Sequence, residues 1–85
     1  MASSQFTCSG IAVIAWPERL AEVREALGRL EGVEVHHEDA ASGRLVVTQV
    51  AGSVDEQMDG LRRIQRLDGV LAADLVYHVS EELEA

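Results

Sequence analysis

A chain of 85 residues, 47% of them hydrophobic, has material for one small domain, burying roughly 60–65% of the surface its unfolded form exposes. The 15 acidic and 7 basic residues leave a net charge of −8, which repels phosphate backbones, and aromatics at 4% offer few platforms for base stacking. Nucleic acid is excluded as a partner, and a single cysteine, Cys8, excludes an internal disulfide or a CxxC metal or redox motif.

Residues 1–5 read as a loose leader without the charged and apolar blocks of an export signal, and no apolar run approaches the roughly 20 residues of a membrane span. A cytoplasmic protein is expected. Thr7 to Ala15, mostly apolar and partly β-branched, reads as a central strand. Pro17 then stands at a favourable first helical position, and Leu20, Val23, Leu27 and Leu30 form one apolar stripe over 17–30. Trp16 is placed to pack back on Leu20 as a staple, Glu25 and Arg29 to pair one turn apart, and Gly32 to stop the helix.

Val33 to Glu38 reads as a second strand, Ala40 to Gly43 as a hairpin connection, and Arg44 to Ala51 as a valine-rich third strand. Ser53 and Glu56 have the spacing of a capping box for a helix over about 54–67, striped by Val54, Met58, Leu61, Ile64 and Leu67. Gly60 inside it costs about 1 kcal/mol relative to alanine, which close packing on a sheet accounts for. Gly69 ends that helix, Val70 to Val79 is the last strand, and the acidic tail Ser80 to Ala85 is expected to fray.

Leu30-Glu31-Gly32-Val33 recurs as Leu67-Asp68-Gly69-Val70, an offset of 37 that also carries Leu27 onto Ile64. Each copy closes a helix and opens a strand. A strand-helix-strand half cannot bury its own apolar surfaces, so the two halves must share a core. The doubled unit is an α+β, ferredoxin-like βαββαβ arrangement: a four-stranded antiparallel sheet in the order 4-1-3-2, with both helices on one face.

The opposite face then has no helix over it, and its composition bears on function. Alternation places Ile11, Val13 and Ala15 toward the helices, with Leu71, Ala73, Leu75, Tyr77 and Val79 of the last strand. The repeat offset turns Val46, Thr48 and Val50 of the third strand the same way. It would also turn Glu34, His36 and Glu38 inward, whereas hydrophobicity favours Val33 and Val35, so a shift or bulge is expected in strand two. The outward set becomes Cys8, Gly10, Ala12, Ile14, Leu45, Val47, Gln49, Ala72, Asp74, Val76 and His78.

This set is apolar and rich in small residues where a solvated face would be polar. Gly10 and Ala12 would make a shallow trough for an amphipathic helix, an extended peptide or a second copy of the chain. No metal site or cofactor is expected: His36 and His37, as neighbours in a strand, point to opposite faces. Cys8 has no histidine-acid pattern or anion cradle around it, so an enzyme is not expected either.

Several stretches together resemble one family: Cys8-Ser9, Pro17-Glu18-Arg19-Leu20, Gly32-Val33-Glu34-Val35, Ser42-Gly43-Arg44-Leu45-Val46-Val47 and, most specifically, Gly69-Val70-Leu71-Ala72-Ala73-Asp74-Leu75-Val76-Tyr77-His78. Over residues 7–79 the chain is similar to the NapD family, maturation chaperones of the periplasmic nitrate reductase. It departs at Gly10, where such proteins usually carry a larger apolar residue. The resemblance implies a cytoplasmic binding protein without catalysis, and a monomer or weak dimer is expected. It would bind the twin-arginine signal peptide of the reductase's catalytic subunit and delay Tat export until cofactor loading and folding are complete. The basic start of such a leader would meet Asp74 and the acidic tail (Glu81, Glu82, Glu84), and its apolar part Ala12, Val47 and Val76. The alternative is a stand-alone regulatory domain of the ACT or Lrp-effector type, which shares this architecture and binds a small amino acid at an oligomer interface. A copper metallochaperone of the same fold needs the missing CxxC loop.

Overall fold

The computed structural model describes the backbone of residues 3–84 and the side chains of residues 7–78. Strand β1 (Ser3–Ala15) leads through a 3-10 turn (Pro17–Arg19) into helix α1 (Leu20–Gly28); β2 (Val33–Asp39) and β3 (Arg44–Ala51) form a hairpin; helix α2 (Val54–Gln65) returns the chain to β4 (Val70–Glu84). The sheet order is β2-β3-β1-β4 with every pair antiparallel, the expected ferredoxin-like arrangement.

Local chemistry explains the element ends. Pro17 opens the 3-10 turn, and the Arg19 N–H donates to the Trp16 carbonyl at 2.8 Å. Trp16 itself remains 49% exposed. Glu25 pairs with Arg29 on α1 at 2.9 Å, as the spacing implied. The Ser53 hydroxyl accepts from the Glu56 N–H at 3.1 Å, while the Glu56 carboxylate accepts from Gly52 at 3.4 Å, one residue upstream of the capping-box partner. Gly43 turns the hairpin at φ 76°, a conformation costly to residues with a side chain.

Ile11, Val13, Val23, Leu27, Leu45, Val47 and Ile64 are fully buried and fill the space between helices and sheet. One end of this layer is polar: Thr7, Ser9 and Gln49 of the sheet and Gln57 of α2 are nearly fully buried. The Gln49 amide donates to the Gln57 carbonyl at 2.9 Å, and Gly60 gives the Gln49 side chain its room, the close helix–sheet contact anticipated for that glycine.

The register corrects the expected orientation of β3. Ile11 lies opposite Val47, Val13 opposite Leu45 and Ser9 opposite Gln49, so Leu45, Val47 and Gln49 face the helices and Val46, Thr48 and Val50 face away. Buried helix positions keep the offset of 37, as in Leu20 and Gln57 or Leu27 and Ile64. Core strand positions repeat at 36, as in Ile11 and Val47. One extra residue between β3 and α2 absorbs the difference, and in a strand one residue reverses every side chain.

Strand β2 does carry the anticipated irregularity. Val33 and Val35 pair with Gln49 and Val47 on the core side, and a shift between Val35 and His37 brings Glu38 to that side as well. Both Glu38 carboxylate oxygens then accept from Arg24 of α1 at 2.9 Å. The ends of β1 and β4 differ from expectation too: backbone pairing continues to Ser3 opposite Glu84 instead of fraying. The expected roles of the side chains of Val79, Glu81, Glu82 and Glu84 lie outside the described residues.

Arg19 bonds Glu22 at 2.9 Å and Asp68 at 2.8 Å, tying the start of α1 to the turn before β4. Hydrogen bonding and then charge attraction from Arg19 hold the Asp68 carboxyl below its ordinary value. A lowered folded-state pKa contributes stability above the unfolded value that is lost as pH falls through the folded one. Urea midpoints of Asp68→Asn should therefore lie below wild type near neutrality and converge with it in acid. A second pair of variants checks the glycines. Gly43→Ala, whose Cβ would collide with the Ala15 carbonyl, should lose at least ~1–2 kcal/mol of stability. Gly28→Ala, with open space around the new methyl in α1, should gain ~0.5–1 kcal/mol.

Candidate functional site

Both helices lie on one side of the sheet, and directly opposed residues of antiparallel strands project to a common side. The register therefore lays out the helix-free face as rungs from β2 to β4. Asp39, Arg44, Ile14 and Ala72 make the first rung, and His37, Val46, Ala12 and Asp74 the second. Glu34, Thr48, Gly10 and Tyr77 make the third, and Val50 beside Cys8 begins the fourth.

Cys8, Gly10, Ala12, Ile14, Ala72 and Asp74 share this face, as the sequence reading placed them. Leu45, Val47 and Gln49 do not: they are 0%, 0% and 3% exposed in the core, and Val46, Thr48 and Val50 stand in their places. Two expectations for β4, the outward placement of His78 and the inward placement of Tyr77, fail at an irregularity in that strand. Ile11 pairs with Leu75 but Gly10 pairs with Tyr77, so Val76 is an inserted, bulged residue, 62% exposed. Beyond it the alternation is reversed, putting His78 opposite Ser9 on the helix side and Tyr77 on the open face, not in the core.

Gly10 is consequently no trough. It is buried, and a Cβ added to it would overlap Cδ2, Cε2 and Cζ of Tyr77, whose ring lies over it. Like Val46, Thr48 and Val50, Tyr77 is a residue of this face that the sequence reading turns inward. The available signal was a glycine in a central strand, which often marks the close approach of another group.

The centre of the face is apolar, from Cys8, Ala12, Ile14, Val46, Val50, Ala72 and Tyr77, with Ile14, Val50 and Tyr77 36%, 51% and 50% exposed. Among the described side chains, charge on this face is confined to the outer strands and the hairpin end: Glu34 and Asp39 on β2, Asp74 on β4, and Arg44 at the start of β3. His36, next to the β2 shift, reaches Thr48 Oγ1 at 2.6 Å and Glu34 Oε1 at 3.3 Å. Among the described residues no three metal-ligating side chains converge. A separate cleft of about 540 Å³ lies on the helix side between β3 and α2. Its walls mix Glu31, Glu56, Asp59 and Arg63 with Val50 and Ala51. The open face is suited to docking: an apolar centre drives burial, and flanking carboxylates orient a basic ligand.

The sequence profile of the NapD protein family matches residues 6–82, which span both helices and all four strands. Chaperone NapD of Escherichia coli K12 is 36% identical over 75 residues, covering 88% of this chain and 85% of that protein. Chaperone NapD of Haemophilus influenzae is 27% identical over 73 residues, covering 86% and 78%. The solution structure of the E. coli Tat proofreading chaperone protein NapD matches with a TM-score of 0.82 at 32% identity, covering 89% of this chain and 80% of that one.

Paired lysine substitutions check the orientation of β3. Val46→Lys, on the open face, should change stability by no more than ~1 kcal/mol. Val47→Lys, which forces an ammonium into the core, should cost at least ~3 kcal/mol in urea denaturation.

Proposed function

This chain belongs to the NapD family, and on that footing we propose that it binds the twin-arginine signal peptide of the periplasmic nitrate reductase catalytic subunit in the cytoplasm, delaying Tat export until cofactor insertion and folding are complete. Support comes from the E. coli relative, described as a Tat proofreading chaperone, and from the architecture of the open face. The observation that carries the reading is that face itself: an apolar, helix-free surface with carboxylates beside it, on a chain of net charge −8. A twin-arginine leader has the complementary pattern, a basic start followed by an apolar stretch. Family membership sets aside the amino-acid-binding alternative.

The dimensions suit a helical leader. Strands β3, β1 and β4 lie side by side, and at about 4.8 Å between neighbours they span about 10 Å, roughly the diameter of an α-helix. Ala12 and Ala72, small and on adjacent rungs, let the helix approach the sheet. Burying about 400 Å² of apolar surface would supply on the order of 10 kcal/mol gross, much of it offset by lost translational and rotational freedom and by ordering of the peptide. The leader's apolar side would rest on Ala12, Val46 and Ala72, with Asp74 meeting its basic end. Val46 here takes the role the sequence reading gave to Val47.

Titrating isotope-labelled protein with the synthetic leader should shift the amide resonances of Ala12, Val46, Thr48, Ala72 and Asp74. Shifts confined to α1 and α2 would overturn the site. Asp74→Lys should weaken binding about 5- to 10-fold, with a reduced salt dependence, as measured by calorimetry.

A further inference from the structure

Two departures from regular strand structure converge on one aromatic ring. The bulge at Val76 reverses the alternation of β4, without which Tyr77 would face the helices. Gly10, in the central strand β1, leaves the space in which the ring lies, without which a Cβ would collide with it. Each departure is unfavourable alone: a bulge disrupts the ladder, and a strand glycine loses backbone entropy and side-chain packing. Together they seat the single tyrosine of the chain against the backbone of Gly10 while leaving it 50% exposed. Hydrogen bonding does not account for the placement, because the phenol makes no hydrogen bond among the described residues.

The surroundings indicate what the exposed ring could receive. Asp74, exposed and one rung away, makes no ion pair among the described residues. Glu34 stands at the far end of Tyr77's own rung. An aromatic face beside a carboxylate is matched by a flat, delocalised cation, which stacks on the ring while its N–H groups donate to the carboxylate. A guanidinium satisfies both requirements and an ammonium does so less well, being a compact, strongly hydrated charge.

We propose that Tyr77, seated on Gly10, is a specificity-determining residue of the leader site, stacking one guanidinium of the twin-arginine pair while Asp74 supplies the counter-charge. This inference rests on the reading that the open face receives the leader. It adds the residue that makes the site prefer arginine to lysine.

The test is calorimetric titration of wild type, Tyr77→Phe and Tyr77→Leu with the reductase's synthetic leader and with its Lys-Lys version. Wild type should prefer Arg-Arg, Tyr77→Phe should keep that preference, and Tyr77→Leu should bind the Arg-Arg peptide about 3- to 30-fold more weakly and lose the preference. An aromatic covering a glycine also stabilises a sheet, but that role alone would leave the Arg-to-Lys ratio unchanged. An unchanged ratio in a folded Tyr77→Leu protein therefore overturns the proposal while leaving the leader site intact. Failure of wild type to bind either peptide would instead overturn the functional reading beneath it. A wild-type measurement guards against a variant that does not fold. The Tyr77 ring protons should shift more with the Arg-Arg peptide than with the Lys-Lys one, and equal shifts would count against the stacking.

Discussion

Ile11 opposite Val47 is the pairing on which the rest of the structure depends. Strand β1 is central, so its register with β3 decides which residues of both strands meet the helices. The fully buried Ile11, Val13, Leu45 and Val47 then form a floor onto which Val23, Leu27 and Ile64 of the helices close. The same pairing commits Ala12 and Val46 to the other side, where the described residues place no helix. The core and the open face are thus two consequences of one register, and a one-residue slip would exchange them.

Departures from that register are placed where each re-aims a particular side chain. In β2 the shift after Val35 turns Glu38 toward α1, where Arg24 receives it. In β4 one irregularity separates Val70 on the core side from Ala72 on the open side, and the other moves Tyr77 onto Gly10. The outer strands carry these bulges while β1 and β3 keep an unbroken pairing. The central pair keeps the register of the platform, and the flanking strands shape what borders it.

Much of this was legible in the residues. Capping chemistry at Ser53, the proline at 17, the hairpin glycine at 43 and the recurring Leu-acid-Gly-Val placed the elements, and the repeat fixed the strand order. The specific Gly69 to His78 stretch pointed to the family that the profile and relatives show. The inward or outward sense of β3 was not legible, because helices and strands repeat at offsets that differ by one residue. Valines at 46, 47 and 50 on both faces left hydrophobicity unable to arbitrate. Tyr77 was hidden for a related reason: strict alternation carries it into the core, and only a bulge, which has no fixed sequence signature, brings it out.

The central claim is that the helix-free face of the sheet receives the leader. A nitroxide attached to the apolar part of the leader peptide tests it most directly, through paramagnetic broadening of the amide resonances of the labelled protein. Broadening should be strongest at Ala12, Val46 and Asp74 and weak at Val23, Leu27 and Ile64 behind the sheet. The reverse pattern, centred on α1 and α2, would contradict the account.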